Sequence, residues 1–331
     1  MEYRTLGRSD LEVSTVCLGC WALIGGATWG RQDRDESLAT IRAAVEAGVN
    51  FFDTAPVYGD GESEALLGEA LAGVRRDVAI ATKVSGDQLA PADVAASCER
   101  SLRLLKTDVI DLLQVHWPPR DVPLAETLGA MERLKEAGKV RAIGVSNFGA
   151  SWLGELTRLG RVETNQLCYS LLFRAIEFEV QPACVEEEIG ILCYGPICQG
   201  LLTGKFASPD AVPDGRARSR LFSKDRPQAR HDEPGCEKEA FEALAGVRRI
   251  AESLSMPMGR VALAWALAQP GVTSVLAGAR SAAQARENAL AGEVSLPAEA
   301  IEELSAVTAA VKARLGANLD MWQTDSRAEK A

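Results

Sequence analysis

Apolar and polar positions alternate in blocks along the chain. Short, almost wholly apolar runs such as NFFDTA and DLLQVH are separated by longer stretches such as ESLATIRAAVEAG, where apolar residues recur every three to four positions. The first pattern is typical of strands buried on both faces, and the second of helices that pack with one face. The predicted strands end near Gly19, Ala55, Val84, His116, Ser146, Tyr169, Pro196 and Gly278.

Helical patterns alternate with these strands. Several of them close on a glycine, such as Gly48 and Gly138, which suits the left-handed position after a helix. Strands joined by helices of this length pair in parallel. The predicted helices span residues 36–48, 62–73, 91–106, 123–138, 151–160, 178–190, 257–269 and 281–291.

The repeated strand–helix unit predicts an α/β fold, a (β/α)8 TIM barrel. Eight such units in about 300 residues match that architecture in number and in size. The alternative is an open doubly wound sheet, which would carry a GxGxxG turn after its first strand, and the chain has no GxGxxG. No composition shift marks a domain boundary, so we predict that residues 1–331 form a single domain.

Four segments fall outside the regular alternation. Residues 3–13 predict an N-terminal β-hairpin that plugs the bottom of the barrel, and residues 199–236 form a long loop after strand 7 that is rich in Pro, Gly and Arg. Residues 297–315 predict one extra C-terminal amphipathic helix. For the tail beyond residue 320 two states remain open, loose or folded back over the active face.

Composition excludes several classes of function. The chain has 331 residues, 47% of them hydrophobic, and a formal net charge of −10. No basic cluster is present to neutralise phosphates, so we expect no nucleic-acid partner, and no apolar run is long enough for a membrane span. The first ten residues, MEYRTLGRSD, lack a signal-peptide profile, which predicts a cytoplasmic protein. Whether the chain forms homo-oligomers stays open.

The chain contains eight cysteines, which we interpret as buried reduced thiols because they are scattered through predicted strands and helices. Cys17 and Cys20 form a lone CxxC without the second pair that a zinc site would need, so no metal site is predicted.

Polar side chains stand at the carboxyl ends of neighbouring predicted strands. Asp53 ends strand 2, Lys83 ends strand 3, His116 ends strand 4, and Tyr58 lies in the loop after strand 2. Barrel enzymes carry their chemistry at these strand ends, so the four side chains are expected to converge. His231, the other histidine, is predicted to be a solvated residue of the long loop.

Together these four side chains suit one kind of chemistry, the donation of a proton. An ammonium beside a phenol stabilises the phenolate and lowers the phenol pKa, and a carboxylate keeps the ammonium charged. Histidine can orient a substrate carbonyl beside the phenol. We therefore predict a device that protonates the oxygen of an aldehyde or ketone as hydride arrives. A Schiff-base aldolase is disfavoured because Asp53 keeps Lys83 charged, and a metal hydrolase because the ligands are too few.

The chain resembles the aldo-keto reductases from about residue 3 to residue 315. GVNFFDTAPVYGDGESEALLGEAL, ATK, DLLQVHWP, IGVSNF and TNQLCYS occur in the family's order, and the branch is similar to bacterial members and potassium-channel β-subunits. The resemblance implies a (β/α)8 barrel that uses NADPH, with NADH not excluded. It also implies a catalytic tetrad of Asp53, Tyr58, Lys83 and His116, in which Tyr58 is the general acid.

The resemblance also implies a cofactor site. Ser146, Asn147 and Gln166 would bind the nicotinamide carboxamide, Tyr194 would stack on the ring, and GPICQGLLTGK (195–205) would bind the pyrophosphate. The residues of that stretch assigned to the cofactor are Gly195, Pro196, Gly200, Leu201 and Lys205. The adenosine-binding residues are Gly278, Arg280, Gln284, Glu287 and Asn288, with Ala279 and Ser281 in the same segment.

The chain departs from the family pattern at the positions that would bind the 2′-phosphate of NADP. Many family members place a Lys-Ser pair and an Arg where this chain has Gly278, Ala279 and Gln284. Arg280 is the candidate substitute, since its planar donors suit a phosphate.

The substrate is predicted to be a small carbonyl compound or alcohol, with sugars and inososes among the options. Trp21, Trp29 and Trp117, together with Trp322 in the tail motif NLDMWQ, are predicted to line its pocket. The principal hypothesis is an NADP(H)-dependent carbonyl reductase. The alternative is a cofactor-binding regulatory or redox-sensing protein with little turnover.

Overall fold

The apolar runs form a closed parallel barrel. The computed structural model describes residues 1–330, and within it eight strands close in chain order, the last pairing with the first. The barrel strands are β3 (Val16–Gly19), β4 (Phe51–Asp53), β5 (Ala79–Val84), β6 (Ile110–Val115), β7 (Val140–Ser146), β8 (Thr164–Cys168), β9 (Gly190–Tyr194) and β10 (Val272–Gly278). The prediction of a (β/α)8 barrel is confirmed.

Helices surround the barrel and return the chain from the end of one strand to the start of the next. Many bury one face only: in α3 the buried positions include Val94, Cys98 and Leu102. The helices are α1 (Arg34–Glu46), α2 (Glu62–Ala70), α3 (Pro91–Leu105), α4 (Leu124–Glu136), α5 (Ala150–Leu159), α6 (Val180–Glu186), α7 (Glu237–Ser253), α8 (Met258–Leu267), α9 (Ala282–Ala289), α10 (Ala298–Val307) and α11 (Ala309–Leu315).

The N-terminal hairpin closes the lower end of the barrel, as the sequence predicts. Its strands β1 (Tyr3–Thr5) and β2 (Glu12–Ser14) pair antiparallel. Leu6, Leu11 and Val13 are buried and share a hydrophobic cluster with Phe51 and Leu112 of the barrel interior. The amino-terminal ends of the strands are therefore sealed by apolar contacts, and only the carboxyl ends remain open to a ligand.

Two helical predictions need correction. Helix α7 follows the long loop and was not predicted, although EKEAFEALAGVRRIAES has helical spacing. The segment 297–315 is two helices, because the chain breaks at Thr308. The Thr308 hydroxyl donates to the Leu304 carbonyl oxygen at 3.0 Å, a local bond that accompanies the bend.

The long loop and the C-terminal tail pack together over the open end of the barrel. Arg220 in the loop donates to the carbonyl oxygens of Leu315 and Asn318 at 2.9 and 3.1 Å. Glu329 accepts from the backbone N–H groups of Ala150 and Ser151 at the start of α5. The sequence left two states open for the tail, loose or folded back; in the structure it is folded back over the open end of the barrel.

His231 is buried, which corrects the prediction of a solvated loop residue. Its side chain lies under the loop, with Nε2 3.1 Å from the Ser219 carbonyl oxygen. Burial lowers the pKa of His231, so the ring stays neutral as a structural residue.

The eight cysteines are buried and unpaired, as expected of reduced thiols. Burial raises their pKa values, for example that of Cys98 to about 11. Cys17 faces the barrel interior in the cluster that holds Leu6. In the stretch 1–330, no helix has the length and apolar character that crossing a membrane requires.

Candidate active site

A cleft of about 1020 Å³ lies at the carboxyl ends of the barrel strands. Asp53, Tyr58 and His116 line it, and Lys83 lies directly behind them with no exposed surface. The strand register brings these side chains together, since β4 pairs with β5 and Lys83 of β5 stands beside Gln114 of β6. The four residues predicted from strand ends therefore converge.

Lys83 and Asp53 form a buried ion pair. The Lys83 ammonium lies 2.6 Å from Asp53 Oδ1 and donates to the Thr54 carbonyl oxygen at 2.8 Å. Burial by itself would lower the pKa of Lys83, but the attraction of Asp53 and Tyr58 outweighs it and the net pKa is raised. Lys83 is therefore a fixed positive charge at neutral pH, which a Schiff-base lysine is not.

Asp53 is held on its other side by two glutamines. Gln166 donates to Asp53 Oδ2 at 2.7 Å, and Gln114 donates to the same oxygen at 3.2 Å. Both amides are buried inside the barrel. A carboxylate with these fixed donors keeps one orientation, and so does the ammonium that it pairs with.

The Tyr58 ring stands between the charged pair and the cleft. The Lys83 ammonium lies 5.3 Å from the ring centroid. The His116 ring lies 6.2 Å away and nearly perpendicular, and the Trp21 ring is stacked at 6.1 Å. Both distances join ring centroids. The phenol thus has the ammonium on one side and aromatic walls on the others.

Lys83 lowers the pKa of Tyr58, as predicted, but its effect is not the largest one. Burial raises the pKa of Tyr58, and the nearby Lys83 ammonium opposes that rise without cancelling it. The phenol is therefore held protonated at neutral pH, as a proton donor must be before it reacts. The ammonium stabilises the phenolate once the proton has left.

His116 is neutral. Burial, together with the positive charges of Lys83 and Arg327, lowers the pKa of His116 to about 3. A neutral imidazole carries one N–H donor and one acceptor nitrogen. His116 can therefore donate a hydrogen bond to a substrate oxygen without competing with Tyr58 as an acid.

Polar side chains of β7, β8 and β9 form a chain of hydrogen bonds along the next wall. Tyr194 donates to Asn147 Oδ1 at 2.9 Å, and Asn147 donates in turn to the His116 carbonyl oxygen at 3.1 Å. Ser146 donates to the carbonyl oxygen of Gln166 at 2.9 Å. The predicted carboxamide and stacking residues thus lie side by side next to the Tyr58 centre.

The loop after β9 forms part of the cleft wall. Gly195, Pro196, Gly200 and Lys205 line the cleft, whereas the Leu201 side chain is buried in the core, so only its backbone can face a ligand.

Lys205, Arg216 and Arg280 form one charge cluster. Burial and the charges of the two arginines lower the pKa of Lys205. In residues 1–330 none of the three has a carboxylate oxygen within 4.0 Å, and Arg216 Nε is buried without a hydrogen-bond partner. Gly200 has a φ of +96°, in the left-handed region that favours glycine, and the Lys205 ammonium lies beside it. These donors fit the phosphates of a dinucleotide.

The predicted adenosine segment lies along the same cleft. Gly278, Arg280, Gln284, Glu287 and Asn288 all line it. The Arg280 side chain reaches across to the loop after β3, where Nε donates to Gln32 Oε1 at 2.9 Å and Nη2 donates to the Arg31 carbonyl oxygen. Arg280 therefore joins the two sides of the cleft as well as adding charge.

Aromatic side chains line the part of the cleft next to Tyr58. Trp21, Trp29, Trp117 and Trp322 all contribute to the wall. Trp21 and Trp29 meet edge to face at a centroid separation of 5.3 Å. The guanidinium carbon of Arg327 lies 3.7 Å from the Trp117 centroid, and Asp320 binds the same guanidinium at 2.6 Å.

The sequence did not single out Arg216, Arg218 or Arg327. Arg216 stands over Trp29, Arg218 lies between Trp21 and Trp322, and Arg327 covers Trp117. The arginine-rich composition of the long loop is a signal for Arg216 and Arg218 only, because Arg327 lies in the C-terminal tail.

Comparison with known proteins places the chain among its relatives. The profile described as "Aldo/keto reductase family" matches residues 15–309. Aldo-keto reductase YhdN of Bacillus subtilis is 37% identical over 86% of each chain. The NADH-specific methylglyoxal reductase of Escherichia coli is 34% identical over 88% of this chain and 93% of its own. A probable voltage-gated potassium channel subunit beta of Arabidopsis thaliana is 30% identical over 89% and 92%.

Solved structures show the same likeness. The aldo/keto reductase of Klebsiella pneumoniae in complex with NADP and acetate superposes with a TM-score of 0.73 at 29% identity, covering 92% of this chain and 94% of the other. With the barrel, the cleft and the matching profile together, the chain belongs to the aldo/keto reductase family of oxidoreductases.

Proposed function

We propose that the protein reduces an aldehyde or ketone to the alcohol with NADPH as the favoured hydride donor. The observation that carries this proposal is the buried Lys83–Asp53 pair behind Tyr58, beside a neutral His116 at an open cleft. That arrangement supplies one proton to an oxygen held at the cleft wall, the requirement of carbonyl reduction.

The proton transfer is assigned to Tyr58. His116 donates a hydrogen bond to the carbonyl oxygen and holds it beside the phenol. Tyr58 then gives its proton to that oxygen, and the Lys83 ammonium stabilises the phenolate that remains. Asp53 keeps the ammonium in place through the contact at 2.6 Å. When bound, NADPH would supply the hydride that completes the alcohol, and a proton from water would restore the phenol.

The cofactor contacts are assigned to the walls described above. Lys205, Arg216 and Arg280 would bind the phosphates, with the backbone of the loop 195–205 close to the pyrophosphate. Ser146, Asn147 and Gln166 would bind the carboxamide, and Tyr194 would stack on the nicotinamide. Support for NADP(H) comes from the Klebsiella structure with NADP, and the NADH-specific Escherichia coli relative keeps NADH as a second donor.

The test follows NADPH absorbance with a panel of aldehydes, ketones, aldoses and inososes. We expect turnover of at least one carbonyl compound and a loss of about hundredfold or more in kcat for Tyr58→Phe, since general acids contribute that much. The matched control is Tyr3→Phe, which removes a hydroxyl from the opposite end of the barrel, where Tyr3 bonds the Gly48 carbonyl oxygen. Equal rates for Tyr58→Phe and wild type would refute the assignment of the acid.

A second candidate function is a cofactor-binding regulatory protein, favoured by the plant relatives named as potassium channel β subunits. It predicts that NADPH quenches tryptophan fluorescence, because four tryptophans line the cleft, while no carbonyl compound of the panel is reduced.

A further inference from the structure

We propose that Arg218 binds an anionic group of the substrate, so that the preferred substrates are carbonyl compounds that also carry a carboxylate or a phosphate. The proposal rests on the proposed carbonyl reduction and names the substrate class for that site. It concerns a different group of charges from the one assigned to the cofactor.

Arg218 lies on the side of the cleft where the Trp21 ring stacks on Tyr58. Its guanidinium carbon lies 4.6 Å from the Trp322 centroid and 5.7 Å from the Trp21 centroid. Trp21 in turn stacks on Tyr58 with centroids 6.1 Å apart. The guanidinium is therefore one indole away from the phenol, and the two flanking rings hold it in place.

The charge of Arg218 has no partner in the part of the chain that the structure describes. No carboxylate oxygen lies within 4.0 Å of its nitrogens, and Nε is buried without a hydrogen-bond partner. Three carboxylates line the cleft: Asp53 is paired with Lys83, Glu287 with Arg260, and Glu252 has no oxygen within 4.0 Å of the Arg218 nitrogens. A partly buried guanidinium without a counterion is costly, and a bound anion would remove that cost.

The cations near the site divide into two groups. The positive charges that act on Lys205 are those of Arg216 and Arg280, whereas the charge that acts on Arg218 is that of Arg230. Arg216 stands over Trp29, and Arg218 stands between Trp21 and Trp322. If the first group takes the cofactor phosphates, Arg218, with Arg230 near it, is left for the substrate.

Arg327 does not compete for the same role. It covers Trp117 on the neighbouring wall, but its guanidinium is bound by the fully buried Asp320 at 2.6 and 3.2 Å. That pair is already neutral, so Arg327 shapes the wall and Arg218 supplies the uncompensated charge.

The geometry also sets the distance between the two functional groups of the substrate. The carbonyl must reach Tyr58 and His116 while the anion reaches past the Trp21 ring to Arg218. The proposed substrates therefore carry a spacer, a few bonds or a single aromatic ring, between the carbonyl and the anion. Small neutral carbonyl compounds would fill only the Tyr58 end.

The kinetic test compares matched pairs of probes. We expect kcat/KM for 4-carboxybenzaldehyde to exceed that for 4-formylbenzamide, and kcat/KM for glyceraldehyde 3-phosphate to exceed that for glyceraldehyde, by about tenfold in at least one pair. The probe pair with the larger kcat/KM ratio shows whether the site prefers a carboxylate or a phosphate. Arg218→Gln should bring the ratio close to one, and Arg218→Lys should retain part of it. Arg158→Gln, the same change on the exposed side of α5, should leave it intact.

A binding test works without turnover. With NADP⁺ saturating the cofactor cations, we expect succinate to raise the Tm of the wild type and of Arg158→Gln, and to raise that of Arg218→Gln much less. Ratios near one in the wild type, or ratios and Tm shifts that persist in Arg218→Gln, would overturn the proposal. Anion binding lost in Arg218→Gln without reduction of any carbonyl would retain the anion site and reject the proposed function.

Discussion

At the scale of single residues, the positions of the four side chains and the charge of Lys83 could be predicted from the sequence, but the net pKa of Tyr58 could not. Asp53, Lys83 and His116 end neighbouring strands, and a parallel barrel brings such ends together. The pKa of Tyr58 depends on how deeply the ring is buried relative to the distance of Lys83, and neither quantity can be read from residue order. The two glutamines that hold Asp53 were likewise not foreseen as a network, because interior contacts depend on register.

Substitution of Arg280 tests which residue sets the preference for NADPH over NADH. We expect Arg280→Ala to lower the ratio of kcat/KM for NADPH to that for NADH by about tenfold, since hydrogen bonds to a charged phosphate are worth that much. Because Arg280 also bonds Gln32 and Arg31, both KM values should rise. Arg286→Ala, on the exposed face of α9, is the control. An unchanged NADPH preference in Arg280→Ala would assign the 2′-phosphate to another group.

At the scale of elements, the strand–helix units, the hairpin and the long loop were predictable, but α7 and the break between α10 and α11 were not. Most helices follow from periodicity, whereas α7, directly after the predicted loop 199–236, was assigned to no element. The break at Thr308 has no sequence signal beyond one threonine, whose hydroxyl bonds a carbonyl one turn back. The packing of loop on tail through Arg220 depends on contacts between residues about a hundred positions apart.

The hairpin gives a prediction about stability. Leu6 is fully buried at the bottom of the barrel, so Leu6→Ala should lower the free energy of unfolding by about 2–5 kcal/mol. Leu290→Ala, where the side chain is 39% exposed, should cost much less. Denaturant unfolding measures both. The kcat/KM of Leu6→Ala at low temperature should stay that of the wild type; a large loss would mean that the plug also shapes the cleft.

At the scale of the whole molecule, charge is unevenly distributed. The formal net charge is −10, yet Lys205, Arg216, Arg218 and Arg280 gather at the cleft without carboxylate partners in the described chain. An acidic protein with a basic cleft repels anions in general and concentrates them at one place. Net charge alone could not predict this, because it sums over a surface whose arrangement only the fold determines.

The uneven charge predicts a salt dependence. Raising NaCl should raise the KM for NADPH, because added ions screen the attraction between the cleft and the cofactor phosphates. The KM for a small neutral aldehyde should change little. Arg216→Gln should weaken the slope for NADPH, since one of the attracting charges is gone. A KM for NADPH that is independent of salt would show that the cations act only at contact distance.

The burial of all eight cysteines has a practical consequence for measuring motion. Their thiols lie from β3 to the start of α7, and burial raises the pKa of each, so the folded protein offers an alkylating reagent almost no thiolate. Modification then reports opening of the chain around each site. Identifying the labelled peptides by mass spectrometry, in order of appearance, would map which parts of the barrel open first under stress, with no engineered probe.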